Sequence, residues 1–260
     1  MTKSEQFEDD RIPSGLRTLS ILEVLTDAGV PLTPTAINET LQLPKATIHR
    51  LCQRLEDEGW LRKDIDGKRY MPGYRLRRMA PGIINFASFA QARTAILRRL
   101  SEQIGETCNI TIPEREGMRY LDRVETRWPL RMQLPIGGHV PFYCTASGKL
   151  YMSTLRKPQQ HHLLKWLKLE KRAPNTIVDR EALMAELSRT RRAKLGIDNE
   201  ELQEGMVAIA VPIEDKNGKL VATIAVHGPT QRMSLADAIA HAPLLREAAK
   251  ELRMVMFDLD

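Results

Sequence analysis

Residues 43–61, LPKATIHRLCQRLEDEGWL, decide how the first part of the chain folds. Ile48, Leu51, Cys52 and Leu55 fall at the i, i+3, i+4, i+7 spacing of one helix face. The remaining positions are not the Glu/Lys mixture of an ordinary solvated face. Lys45, Thr47, His49, Arg50, Gln53 and Arg54 are all hydrogen-bond donors, and the acids Glu56, Asp57 and Glu58 come only at the end. That order opposes the helix dipole, which favours acids at the N-terminus and bases at the C-terminus. Local helix stability therefore does not explain it, whereas a polyanion lying against the helix start does.

The flanking segments give this helix its setting. LRTLSILEVLTDAG keeps Leu16, Leu19, Ile21, Leu22 and Leu25 at helical spacing and stops at Gly29. In VPLTPTAINETLQL, Thr33 stands as a helix cap with Pro34 at the first helical position, and Ile37 and Leu41 turn inward. The turn LQLPK leads into the donor-rich helix, with Pro44 in its first turn and no side-chain acceptor at Leu43. WLRKDIDGKRYMPG predicts two short strands joined at Asp66-Gly67. Three helices followed by a basic hairpin are the plan of a winged helix-turn-helix. Its third helix enters the major groove with its first residues nearest the bases. Lys45, Thr47, His49, Arg50 and Arg54 then supply contacts to bases and phosphates. Lys68 and Arg69, with Arg62 and Lys63, suit the backbone or the minor groove. The plainer alternative is a three-helix domain with a solvated basic face.

The whole chain has 260 residues, enough for two ordinary domains, and 42% hydrophobic residues, enough to bury a core. Its net charge of +6 is compatible with a polyanionic partner without establishing one. No apolar run approaches membrane length and no charged-then-apolar segment opens the chain, so a cytoplasmic protein with no membrane contact is expected. Cys52, Cys108 and Cys144 show no CxxC or Cys/His spacing, and neither a metal nor another cofactor is expected.

Residues 1–12 read as a loose terminus, 13–73 as the DNA-binding domain and 74–105 as a linker helix, kinked or divided at Pro81-Gly82. Ile83, Ile84, Phe86 and Phe89 give that linker an apolar surface suited to a dimer contact. Residues 106–260 mix strands with helices: an alternating pair around Glu116-Gly117, helices near 147–156, 158–169 and 179–194, a hairpin around Asn217-Gly218, and a closing helix over 234–259. Helices first and a mixed block after them make an α+β two-domain protein.

LPKATIHRLCQRLEDEGWLRKD closely resembles the recognition-helix signature of the IclR family of bacterial transcriptional regulators. The resemblance continues, in order, through RYLDRVET, LPIGGHVPFYCTASGKLYMS, IDNEELQEGMVAIAVPI and NGKLVATIAVHGPTQRMS. It implies a GAF-like α/β second domain that binds a small effector and forms homodimers or dimers of dimers, acting on double-stranded operator DNA. By the same resemblance Ala146 and Ser147 align with backbone donors of the effector site, Asp198 with a polar site residue, and Met132 and Val140 with its apolar walls. A cysteine common in the family is Ala208 here, and two small polar positions are Ala225 and His227. Those exchanges point away from a glyoxylate- or pyruvate-type ligand and toward another organic acid with an apolar or aromatic part.

A physical reason accompanies the resemblance. Thr145-Ala146-Ser147-Gly148 leads from an extended segment into a helix, whose free N–H groups favour a carboxylate. Lys149 adds positive charge nearby, and Asp198 would accept from a ligand hydroxyl or from His227. Plainer readings stand beside these: Ser147 as a helix cap, His227 as a strand histidine, Asp198 as part of a solvated acidic loop.

An enzyme is the rival class. Cys144 with His139 nearby invites a thiol nucleophile, but no third orienting group is evident. Gly148-Lys149 lacks the upstream glycine and the following Ser/Thr of a phosphate loop. His161 and His162 are adjacent and cannot share one helix face.

Overall fold

The computed structural model describes residues 12–84, 87–129 and 134–257. The chain falls into two compact units, Met1–Asn85 and Phe86–Asp260.

The first unit holds α1 (Arg17–Ala28), α2 (Pro34–Leu41), α3 (Lys45–Asp57), β1 (Leu61–Lys63), β2 (Tyr70–Pro72) and α4 (Tyr74–Ile84). Its core gathers Ile21, Leu25, Ile37, Ile48, Cys52, Leu55, Leu61 and Tyr70. Leu16 and Leu19, at helical spacing with the others, are exposed, while Ile21 and Leu25 are buried and Leu22 and Val24 pack against the same core. Thr33 caps α2, its hydroxyl accepting from the Ala36 amide. Pro44 lies one residue outside α3 in an extended conformation, and its carbonyl accepts from the amides of Thr47 and Ile48. Asn38 makes two bonds to the Leu43 backbone and so fixes the turn between α2 and α3. Gly73 is required where β2 gives way to α4: a Cβ there would sit 2.3 Å from the Gly59 carbonyl oxygen.

The expected linker covers two helices among the described residues, and it is not divided at Pro81-Gly82. α4 continues through Pro81-Gly82 to Ile84, with Pro81 supplying no backbone donor. α5 (Ala87–Ile104) belongs to the second unit and buries Ile96, Leu97 and Leu100. Phe86 lies outside the described residues.

The second unit is built on a six-stranded antiparallel sheet of β3 (Thr107–Pro113), β4 (Met118–Val124), β5 (His139–Val140), β6 (Gly196–Asn199), β7 (Met206–Glu214) and β8 (Leu220–Pro229). The order across the sheet is β5-β4-β3-β8-β7-β6. Side chains alternate between its faces. Asp122 and Ile110, a cross-strand pair, lie on the face met by α5, where Arg93 bonds Asp122 at 2.5 Å. Asn109, paired with Arg123, lies on the opposite face. α6 (Ala146–Thr154) packs on that opposite face with α8 (Arg180–Ala193) beside it, and α7 (Lys157–Trp166) joins them. Gly196 lets α6 approach, since a Cβ there would meet the Ala146 carbonyl oxygen at 2.0 Å.

Two elements differ from expectation. IDNEE opens with β6, an edge strand too short for alternation to show. The closing helix is two helices, α9 (Leu235–Ala240) and α10 (Ala242–Phe257), parted at His241. Pro243 in the first turn of α10 has no amide to continue α9.

Candidate functional site

Two surfaces follow from this framework. On α3, Lys45, His49 and Arg50 are exposed and Thr47 is half-buried. No side chain among the described residues bonds Lys45, His49 or Arg50. The acids at the other end of the helix are engaged. Glu56 pairs with Lys63 of β1 at 3.1 Å and accepts from the Tyr70 hydroxyl of β2, while Glu58 faces Arg54 at 3.5 Å and Arg75 of α4 at 3.8 Å. Arg75 also lies over the Trp60 ring. The acidic tail therefore ties α3 to the hairpin and to α4, and the basic start is left for a partner. Of the other expected contacts, Lys68 is exposed, Arg54 shares Glu58, and Arg69 is held by Asp66 at 2.5 Å and Asp64 at 3.4 Å.

In the second unit, Val140, Ala146, Ser147, Asp198, Ala208, Ala225 and His227 line one cavity between the sheet and the start of α6. Met132, expected beside them, lies outside the described residues. Asn109, Thr111, Tyr120, Thr145, Leu202, Met206 and Val207 complete the lining. Sequence reasoning missed Asn109, Thr111 and Tyr120 because a polar residue alternating on a strand looks like a solvent face. The cavity is small, about 40 Å³. Val140 and Leu202 also border an open groove of about 780 Å³.

The start of α6 supplies the donors. Its cap is Thr145, whose hydroxyl accepts from the Gly148 amide at 3.1 Å and donates to the Pro141 carbonyl at 2.7 Å. Ser147 is thus not the cap, and its hydroxyl has no partner among the described residues. The amides of Ala146 and Ser147, ahead of the first intrahelical bond, have no acceptor there either.

Asp198 and His227 are both buried, and they do not bond each other. Asp198 Oδ1 accepts from the amides of Glu201 at 2.8 Å and Leu202 at 3.3 Å. Burial pushes its carboxyl up to about 7. The His227 ring lies between Asn109 and Arg123, each at 3.2 Å. An arginine only donates, so Nε2 accepts and the ring proton of the neutral histidine sits on Nδ1; the Asn109 amide, whose Nδ2 is placed against Nδ1, satisfies this tautomer only with its oxygen and nitrogen exchanged. Burial, helped by Arg123, pulls this histidine down to about 3, so the ring is neutral.

Lys149 does not serve the cavity. It is buried on α6 and bound to Glu201, with Glu186 of α8 at 3.7 Å. The acidic loop after β6 is therefore pinned to α6 and is not simply solvated. Cys144 is buried, its thiol pushed up to about 12, and His139 bonds Glu114 at 2.9 Å, so the pair forms no nucleophile site. No helix among the described residues is long and apolar enough to cross a membrane.

A helix-turn-helix unit followed by an α/β unit with a cavity between its sheet and α6 is the plan of a two-domain DNA-binding regulator. Comparison with known proteins makes this particular. The IclR helix-turn-helix domain matches residues 16–64, and the bacterial transcriptional regulator IclR C-terminal domain matches residues 84–254. The probable transcriptional regulator SauR of Cupriavidus necator is 41% identical over 239 residues, covering 92% of this chain and 95% of that protein. The crystal structure of Thermotoga maritima IclR has a TM-score of 0.62 at 25% identity, covering 92% of this chain and 97% of that one. The inducer-binding domain of the PobR transcription factor from Acinetobacter, a double mutant in complex with 3-hydroxybenzoic acid, has a TM-score of 0.56 at 27% identity. It covers 61% of this chain and 94% of that one. The chain belongs to the IclR family of bacterial transcriptional regulators and is a DNA-binding protein of that family.

Proposed function

We propose that the cavity of the second unit receives a small carboxylate-bearing metabolite, and that its binding modulates the affinity of the first unit for operator DNA. The observation that carries this reading is the start of α6. Two uncommitted amides and the Ser147 hydroxyl meet at a cavity wall, where a helix N-terminus favours an anion. Val140, Leu202, Met206, Ala208 and Ala225 offer apolar contact. Asn109, Thr111, Tyr120 and Asp198 offer polar contact to a hydroxyl. The hydroxybenzoate held by the PobR domain is a ligand of this chemistry, and it supports a hydroxylated aromatic acid over a two- or three-carbon acid. An aromatic ring exceeds 40 Å³, so its entry requires the Val140–Leu202 wall to open toward the neighbouring groove.

On the DNA side, Lys45, Thr47, His49 and Arg50 read bases and phosphates from the major groove, and Arg62 and Lys68 hold the backbone. Two copies on a pseudo-palindromic duplex double the sequence that one helix reads. α4 connects the two units, and action on the chromosome places the protein in the cytoplasm.

A thermal-shift screen of small organic acids, followed by operator titration with each stabilising acid, tests this function. A ligand bound to the folded state raises its stability. Stabilisation by no acid would leave a DNA binder without a sensor.

A further inference from the structure

The tip of the β1–β2 hairpin carries Ile65, exposed to 104% of its reference area. The six-residue loop around it is closely ordered. The Asp64 amide donates to the Arg69 carbonyl and the Gly67 amide to the Asp64 carbonyl. Asp64 accepts from the Ile65 amide, and Asp66 from the amides of Lys68 and Arg69. Gly67 takes the left-handed φ of +68° that this turn needs. Arg69 then bridges both aspartates. A fully exposed isoleucine between two carboxylates would be a poor approach to a polyanion. Here Arg69 offsets one of the two charges, and Arg62 and Lys68, exposed on either side with no ion pair among the described residues, outweigh the other.

We propose that Ile65 is an apolar wedge which the hairpin places in the DNA minor groove next to the site read by α3, with Arg62 and Lys68 on the flanking phosphates. The B-form minor groove is about 6 Å wide, too narrow for a helix but open to a single side chain. Isoleucine belongs to the apolar residues that minor-groove proteins insert at base steps, where they read groove width and deformability in place of a donor pattern. Arg69 is accordingly the brace of the wing and not a phosphate contact. Lys68 is the contact.

This rests on the DNA-binding reading of the first unit. The test uses the full-length chain and a duplex it selects from a random-sequence pool. Wild-type preference for that duplex over an unrelated one checks the DNA-binding reading by itself. Ile65→Ala is expected to weaken binding to the selected duplex about tenfold, change affinity for the unrelated duplex less than twofold, and leave the salt slope intact. A hydroxyl-radical footprint, which reports minor-groove sugars, should lose protection beside the α3 site. Ile65→Met should keep both. Binding by Ile65→Ala within twofold of wild type with an unchanged footprint would overturn the proposal. So would an unchanged footprint with an altered oligomeric state in light scattering, which would assign the tip to a protein contact.

Discussion

At Asp198 and His227 one cause, burial, moves two titrations in opposite directions. Asp198 rises from 3.8 to about 7, so its contribution to stability is present below pH 4 and is lost as pH climbs through 7. His227 falls from 6.5 to about 3, so its contribution is present above pH 6.5 and is lost as pH drops toward 3. Asp198→Asn keeps an acceptor for the Glu201 and Leu202 amides and removes the alkaline loss. Its melting temperature relative to wild type should therefore be higher at pH 8 than at pH 5, and a difference independent of pH would refute the buried carboxyl. On α3, Arg50→Ala should weaken operator binding by about 1–3 kcal/mol if it reads a base, whereas Lys68→Ala should weaken all sequences alike and flatten the salt slope by about one. Equal loss on operator and unrelated DNA for Arg50→Ala would make it a phosphate contact. At this scale the donors of α3 and the small residues of the cavity were legible. The partners of His227 were not: Asn109 and Arg123 lie more than a hundred residues away in sequence, and no local spacing links them to β8.

Elements show a second division between what could be read and what could not. Thr33 before Pro34, the donor-rich face of α3 and the Asn217-Gly218 turn announce themselves, because caps and turns are local chemistry. The break at His241 and the run of α4 through Pro81 do not, because a helix can reject or accommodate a proline according to its surroundings. The placement of Lys149 was also hidden. A lysine four residues into a helix reads as solvated, and only the fold shows that Glu201 and Glu186 close around it. Glu201 Oε2 has no partner in that buried cluster. Lys149→Met would leave the buried Glu201 without its cation, Glu186 keeping Arg189 at 2.8 Å, and a loss of roughly 3–5 kcal/mol in denaturant unfolding is expected. The change should also loosen the Glu201–Leu202 backbone that holds Asp198. Thr145→Val should cost about 1 kcal/mol by removing the α6 cap. A neutral result at Thr145 would show that packing on Gly196, and not the cap, sets the start of the helix.

For the whole molecule, regulation requires the ligand to interact differently with the DNA-competent and DNA-incompetent forms of the chain, since equal affinity for both would shift nothing. The central claim is that a carboxylate at the start of α6 changes operator affinity. The most direct measurement is fluorescence anisotropy of the selected duplex titrated with wild-type protein, with and without a saturating acid that stabilises the fold. The account predicts that the acid moves the operator Kd at least fivefold, a coupling of about 1 kcal/mol. An operator Kd that stays the same in the presence of every stabilising acid would contradict it.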